Sequence, residues 1–181
     1  MTPEAGARAQ VVSGGIQPLW FLGTLLQIKL DGAQTAGRFA LVDGVFPHGA
    51  APPLHSHPQD ETFYLLEGEL TAWVVDRELG ENDRGDRPAW VTEYAQSCRA
   101  GAVVFAPGGV PHTFRVESDT ARVLFLSTPA GIEEMFRALG EPAKWPWLPP
   151  PPDGPRVSPE RIAEVEREVG MVRLGPPPPS G

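Results

Sequence analysis

Between Leu19 and Leu126 the apolar residues fall in short runs, several alternating with polar ones, and the runs end at glycine or proline. A period of two residues is that of a strand with one face turned to a core, and glycine and proline punctuate tight turns. The pattern predicts eight strands: Trp20 to Leu30, Arg38 to Phe46, Ala51 to His57, Thr62 to Leu66, Glu69 to Val75, Val103 to Ala106, His112 to Val116 and Arg122 to Ser127. Many short strands at this spacing point to an all-β antiparallel barrel or sandwich. After the last strand the period changes. Ile132, Met135, Phe136 and Leu139 share one helical face, with Thr128 as N-cap, Pro129 at the first helical position and Gly140 as the stop. A second helix follows Ser158 and Pro159, carries Ile162, Val165 and Val169, and stops at Gly170. Between the helices, Glu141 to Pro155 is rich in proline and is expected to form a polyproline-like strap that docks Trp145 and Trp147 on the barrel wall. Asp76 to Glu93, half of it charged, reads as a solvated hairpin loop, and the final Gly-Pro-Pro-Pro-Pro-Ser-Gly as a frayed end. The expected organisation is an N-terminal arm (1–18), one barrel without internal repeat (19–128), and C-terminal helices with a proline-rich tail packed on it (129–181).

Composition narrows the partners. A chain of 181 residues, 41% hydrophobic and 21% charged, has the make-up of a globular domain with one core. A net charge of -8 repels phosphate backbones and anionic membrane surfaces, so neither nucleic acid nor a membrane is an expected partner. The single cysteine, Cys98, allows no internal disulfide and no thiolate zinc site; it reads as a small buried thiol, and the expected location is the cytoplasm. The N-terminus lacks the basic and apolar segments of a secretory signal, and no apolar run reaches the ~20 residues that cross a bilayer.

Three of the four histidines carry the candidate chemistry. In Gly49-Ala-Ala-Pro-Pro-Leu-His55-Ser-His57-Pro-Gln-Asp-Glu61 the two histidines are two apart in an extended segment, so both rings leave the same face and can share an ion. Six residues of straight strand would span ~20 Å, too far for ligands each ~2 Å from one metal, so the chain must turn at Pro58-Gln59-Asp60 for Glu61 to join them. Glu61, Phe63 and Leu65 then face one way. A third histidine, His112, follows the strand and Pro-Gly-Gly turn of Gly101-Ala-Val-Val-Phe-Ala-Pro107-Gly-Gly109-Val-Pro. Three imidazoles and a carboxylate form a borderline-hard site for one divalent transition metal, Fe, Ni, Co, Mn, Cu or Zn, with one or two positions left for water or substrate. Phe63, Phe105 and Phe114 have the parity of inward-facing residues and could line an apolar slot for a flat ring, while His48 reads as a loop residue.

These stretches resemble the two motifs of the cupin family. Gly49 to Gly68 matches G-x5-HxH-x3-E-x6-G at every fixed position, and Gly101 to His112 matches G-x5-PxG-x2-H. The family pattern continues to an asparagine where this chain has Val116, which removes a polar group expected near the barrel mouth. The resemblance implies a single cupin, or jelly-roll, β-barrel with His55, His57, Glu61 and His112 as metal ligands. Leu19 to Leu30, Gly37 to Val42 and Thr128 to Phe136 are further similar to bacterial single-domain cupins of the quercetin 2,3-dioxygenase type. That similarity implies a ring-opening dioxygenase using O2 on a flavonol or a similar enolic aromatic compound, with Glu61 as both ligand and general base. The same barrel hosts other functions: a non-catalytic metal-binding module, or an isomerase or epimerase of a small polar substrate, which would need a cluster of basic residues at the barrel mouth. Pairing through the apolar Trp20 to Leu30 segment makes a homodimer the expected assembly.

Overall fold

The structure, a computed structural model, describes residues 6–7, 9–83, 88–150 and 157–179. Its strands are β1 (Leu19–Phe21), β2 (Thr24–Leu30), β3 (Ala40–Pro47), β4 (His55–Ser56), β5 (Asp60–Glu67), β6 (Glu69–Val74), β7 (Gln96–Arg99), β8 (Val103–Ala106), β9 (His112–Val116), β10 (Thr120–Thr128), β11 (Glu141–Pro142) and β12 (Val172–Arg173). The helices are α1 (Gly32–Thr35), α2 (Trp90–Glu93), α3 (Glu133–Leu139) and α4 (Pro159–Glu168). One sheet runs β11-β1-β2-β3-β10-β5-β8 and the other β12-β4-β9-β6-β7, with every pairing antiparallel.

Alternation produces this arrangement. Along β5, Glu61, Phe63 and Leu65 are buried while Asp60 and Tyr64 are exposed, and along β10 Ala121, Val123, Phe125 and Ser127 are buried. The apolar faces meet in one core that includes Leu26, Val42, Phe63, Leu70, Val116 and Val123. Gly68 joins β5 to β6 with φ at +87°, and a Cβ there would lie 2.3 Å from the Thr120 carbonyl oxygen, so both the turn and the close approach exclude a side chain. Val116 sits in this core opposite Leu70 and is fully buried, so at this position the chain has core packing where the family pattern has a polar group.

Several expectations need correction. The Trp20 to Leu30 run is a hairpin broken at Leu22-Gly23, both with positive φ. Its main-chain edges are used within the chain: β11 covers β1, and β3 pairs with β2. Thr128 does not cap a helix, because it is still the last residue of β10, paired with Asp60; the bond to Pro129 is cis, and α3 begins at Glu133 after Ile132. Asp76 to Glu93 is not all solvated. Trp90 is fully buried against Leu54, Trp73 and Val75, and the buried Asp83 takes a two-pronged hydrogen bond from Arg77 at 2.6 and 2.9 Å; residues 84–87 lie outside the described residues. Of the strap tryptophans, Trp145 packs edge-on against Trp20 at 4.8 Å, whereas Trp147 is 62% exposed and stacks on Trp145. The strap's 151–155 lie outside the described residues. The chain end is held over 174–178, since Leu174 N donates to Leu54 O, Leu54 N donates to Pro176 O, and Pro178 is buried. The second helix agrees with expectation: Ser158 Oγ accepts from Arg161 N, and Pro159 opens α4. No helix among the described residues is long and apolar enough to cross a membrane.

Candidate metal centre

The four predicted ligands come from both sheets. His55 on β4 lies directly opposite His112 on β9, so the two rings leave the same face of one sheet, with centroids 4.5 Å apart. His57 follows β4. The chain then bends at Pro58-Gln59 and crosses to the other sheet, where Glu61 is flanked on β5 by Ala106 and Ser127. Two hydrogen bonds tie this bend to the turn before His112: Gly109 N donates to His57 O at 2.7 Å, and Gly108 N donates to Asp60 Oδ1 at 2.8 Å. The contact is so close that a Cβ on Gly108 would sit 2.3 Å from the Pro58 carbonyl oxygen.

The result is a cluster in which one ligand atom from each of His55, His57, Glu61 and His112 lies within 4.8 Å of the others. All four are buried, and Glu61 Oε2 is 3.1 Å from His57 Nε2 and 3.2 Å from His112 Nε2. His55 Nδ1 is 2.8 Å from the Pro53 carbonyl and His112 Nδ1 is 2.9 Å from that of Val110. A carbonyl can only accept, so both rings carry a proton on Nδ1 and turn Nε2 inward as the nitrogen that faces the cluster. Burial, followed by repulsion from His112, lowers the pKa of His55 to about 4, so this imidazole is neutral at pH 7. Burial alone would raise the Glu61 carboxyl, but hydrogen bonds from His112 and His57 outweigh it and hold the group ionised, well below the usual carboxylate range.

This donor set fits a divalent cation. The Glu61 carboxylate and the inward Nε2 atoms of His57 and His112 share a buried space in which a proton or a cation must lie between them. His57 Nδ1 is moreover buried without a partner among the described residues.

A cavity of about 260 Å³ opens from the cluster. Phe63 and Phe114 line it, in a cluster with Phe46 and Phe125 whose edge-to-face pairs have centroid distances of 5.0 to 6.0 Å. Phe105 does not. It is 54% exposed on the outer face of β8, where Val104 and Ala106 point inward. Phe105 shares its face with Val103, as the alternation predicts, but that face is the outer one, with Val103 62% exposed. Not expected from the sequence was the far wall, supplied by Ile132 at the N-cap of α3, Met135 and Phe136 within it, Ile162 on α4, and Met171 after α4. Helical periodicity had revealed an apolar face without showing that part of it fronts a cavity. His48 sits in a turn beside the Glu117 and Ser118 carbonyls, and Cys98 is buried on β7, its thiol pushed up by burial.

Comparison with known proteins agrees with this geometry. A family model described as "Cupin domain" matches residues 43–86, the stretch that contains the first motif. Quercetin 2,3-dioxygenase of Bacillus subtilis (strain 168) is 28% identical over 109 residues, which are 60% of this chain and 27% of that protein, so the chain matches only about a quarter of the relative's length. Among solved structures, an RmlC-like cupin from Shewanella frigidimarina aligns with a TM-score of 0.52 and 18% identity over 70% of this chain and 96% of that one. A predicted oxalate decarboxylase from Thermotoga maritima aligns with a TM-score of 0.52 and 18% identity over 66% and 99% of the two chains. At this identity such likenesses speak for the fold alone. In its fold and in both motifs the chain is similar to cupins, and in sequence it resembles quercetin 2,3-dioxygenase of Bacillus subtilis.

Proposed function

We propose that the chain is a metal-dependent dioxygenase that opens a small enolic aromatic compound, a flavonol or a similar molecule, with O2. The observation that carries this reading is the joining of a buried three-histidine, one-carboxylate cluster to a cavity walled by phenylalanine, methionine and isoleucine. His55, His57, Glu61 and His112 would hold one divalent ion, of the group Fe, Ni, Co, Mn, Cu or Zn. When bound, that ion supplies Lewis acidity that favours the deprotonated form of an enolic hydroxyl.

The chain's own residues do the rest. Glu61, aimed into the cluster, serves as both ligand and general base and takes up the hydroxyl proton. Phe63, Phe114 and Phe125 form one apolar wall on which a flat ring can lie, shielding from water the electron-rich carbon that reacts with O2. An isomerase of a polar substrate fits poorly, since Arg173 is the sole arginine or lysine in the described lining of this cavity. Apolar walls likewise suit a small dianion such as oxalate badly.

The test is aerobic incubation of the protein, loaded separately with Fe, Ni, Co and Mn, with a panel of flavonols. Metal-dependent loss of the flavonol absorbance together with O2 uptake is the expected result. No O2 uptake with any of them would overturn this reading in favour of a metal-binding protein without oxygen chemistry.

A further inference from the structure

Arg173 is placed where a substrate held at the metal centre would meet it. The residue belongs to β12, which pairs with β4 so that Arg173 lies directly opposite His55. Opposed residues of an antiparallel pair send their side chains to the same face, with Cβ atoms about 5 Å apart. Arg173 therefore leaves its strand on the face from which the His55 ring enters the cluster, and both side chains line the cavity.

Its orientation is imposed. Glu166 on α4, 8% exposed, accepts from Arg173 Nε at 2.8 and 2.9 Å and from Nη2 at 2.7 Å. Such a two-pronged pair fixes the plane of the guanidinium. Nη1 has no partner among the described residues, and the Arg173 side chain is half exposed. A cation clamped by a nearly buried carboxylate, with donors left over and beside an otherwise apolar cavity, is suited to receive an anionic oxygen.

We infer that Arg173 is the second anchor of the substrate: while one oxygen of the molecule lies at the metal centre, Arg173 pairs with an anionic oxygen elsewhere on it, a carboxylate or a phenolate. Glu166 positions the guanidinium for this contact. The substrate class narrows accordingly, from any enolic aromatic compound to one that bears a second, acidic group. This inference rests on the proposed function for the location of the first oxygen.

The experiment uses the full chain loaded with Co(II), kept anaerobic so that nothing turns over. The ligands are 3-hydroxyflavone and the three isomers that carry a carboxylate on its phenyl ring. Calorimetry gives affinity, and the visible absorption of Co(II) reports separately on contact with the metal. At least one carboxylated isomer is expected to bind about tenfold or more tightly than 3-hydroxyflavone. In R173Q that ratio should collapse toward one, and in R173K, which keeps a point charge without the fork, it should be intermediate. Equal affinity for all four ligands in the native chain, or a preference that persists in R173Q, overturns the inference. An Arg173-dependent preference with an unchanged Co(II) spectrum upholds Arg173 as an anion anchor and refutes the enol at the metal; a spectrum shifted by every ligand without any preference does the reverse.

Discussion

At Glu61 a buried carboxylate stays ionised because the imidazoles of His112 and His57 lie against it. At His55 the same burial acts on a base and drives off its proton. Each residue is thus held in the protonation state that a metal ligand needs, at a cost the metal-free fold must carry. For His55 the sign is definite. Its ordinary value is 6.5 and the fold lowers it to about 4, so between these limits the unfolded chain takes up a proton that the folded chain refuses. The metal-free protein should therefore be fully stabilised by this group above pH 6.5 and should lose that contribution as pH falls toward about 4. Urea midpoints measured in EDTA across this range should fall with falling pH and fall less in His55→Gln; identical slopes for the two proteins would contradict the assignment. The ligands themselves were legible in the sequence because HxH on a strand places both rings on one face. Phe105 was misread, since alternation along β8 pairs it with Val103 without saying which of the two faces is the inner one.

Among elements, the site depends on the meeting of two turns, the bend at Pro58-Gln59 and the Pro107-Gly108-Gly109 corner. Gly108→Ala would push a methyl group into the Pro58 carbonyl oxygen, and that backbone cannot yield without moving His57 or Glu61. The substitution should cost about 1–3 kcal/mol of stability, as overpacking does, and should weaken metal binding about 10- to 100-fold, as loss of ligand orientation does. Competition with a chromophoric chelator measures the second effect, and unchanged affinity would show that the two turns are not coupled. Composition was a poor guide at this scale. Averaged charge over 76–93 hid Trp90, one buried ring that anchors an otherwise polar segment. Likewise Thr128 and Pro129 carry helix-start chemistry, yet strand pairing with β5 holds Thr128 in β10. Long-range register overrides a local cap signal wherever the ladder continues.

For the whole molecule, sandwiching two antiparallel sheets lets residues 51 apart in sequence, Glu61 and His112, come within 3.2 Å. The alternation of short strands and the two motifs made the β-fold and the cluster readable from sequence. The cavity's far wall was not readable, because it forms only when α3, α4 and β12 fold back over the sheets, and a helix's apolar stripe does not say what it covers. Convergence of four donors on one point also has a thermodynamic consequence: an ion at a hundred times its Kd should stabilise the fold by about 2.7 kcal/mol. Most direct is a crystal of the metal-loaded protein, with anomalous diffraction recorded at the absorption edge of the ion. A single peak enclosed by His55, His57, Glu61 and His112 is expected, and it should vanish in Glu61→Ala/His112→Ala. A peak elsewhere, or none in a protein shown to carry one equivalent of metal, would contradict the proposed centre and the function built on it.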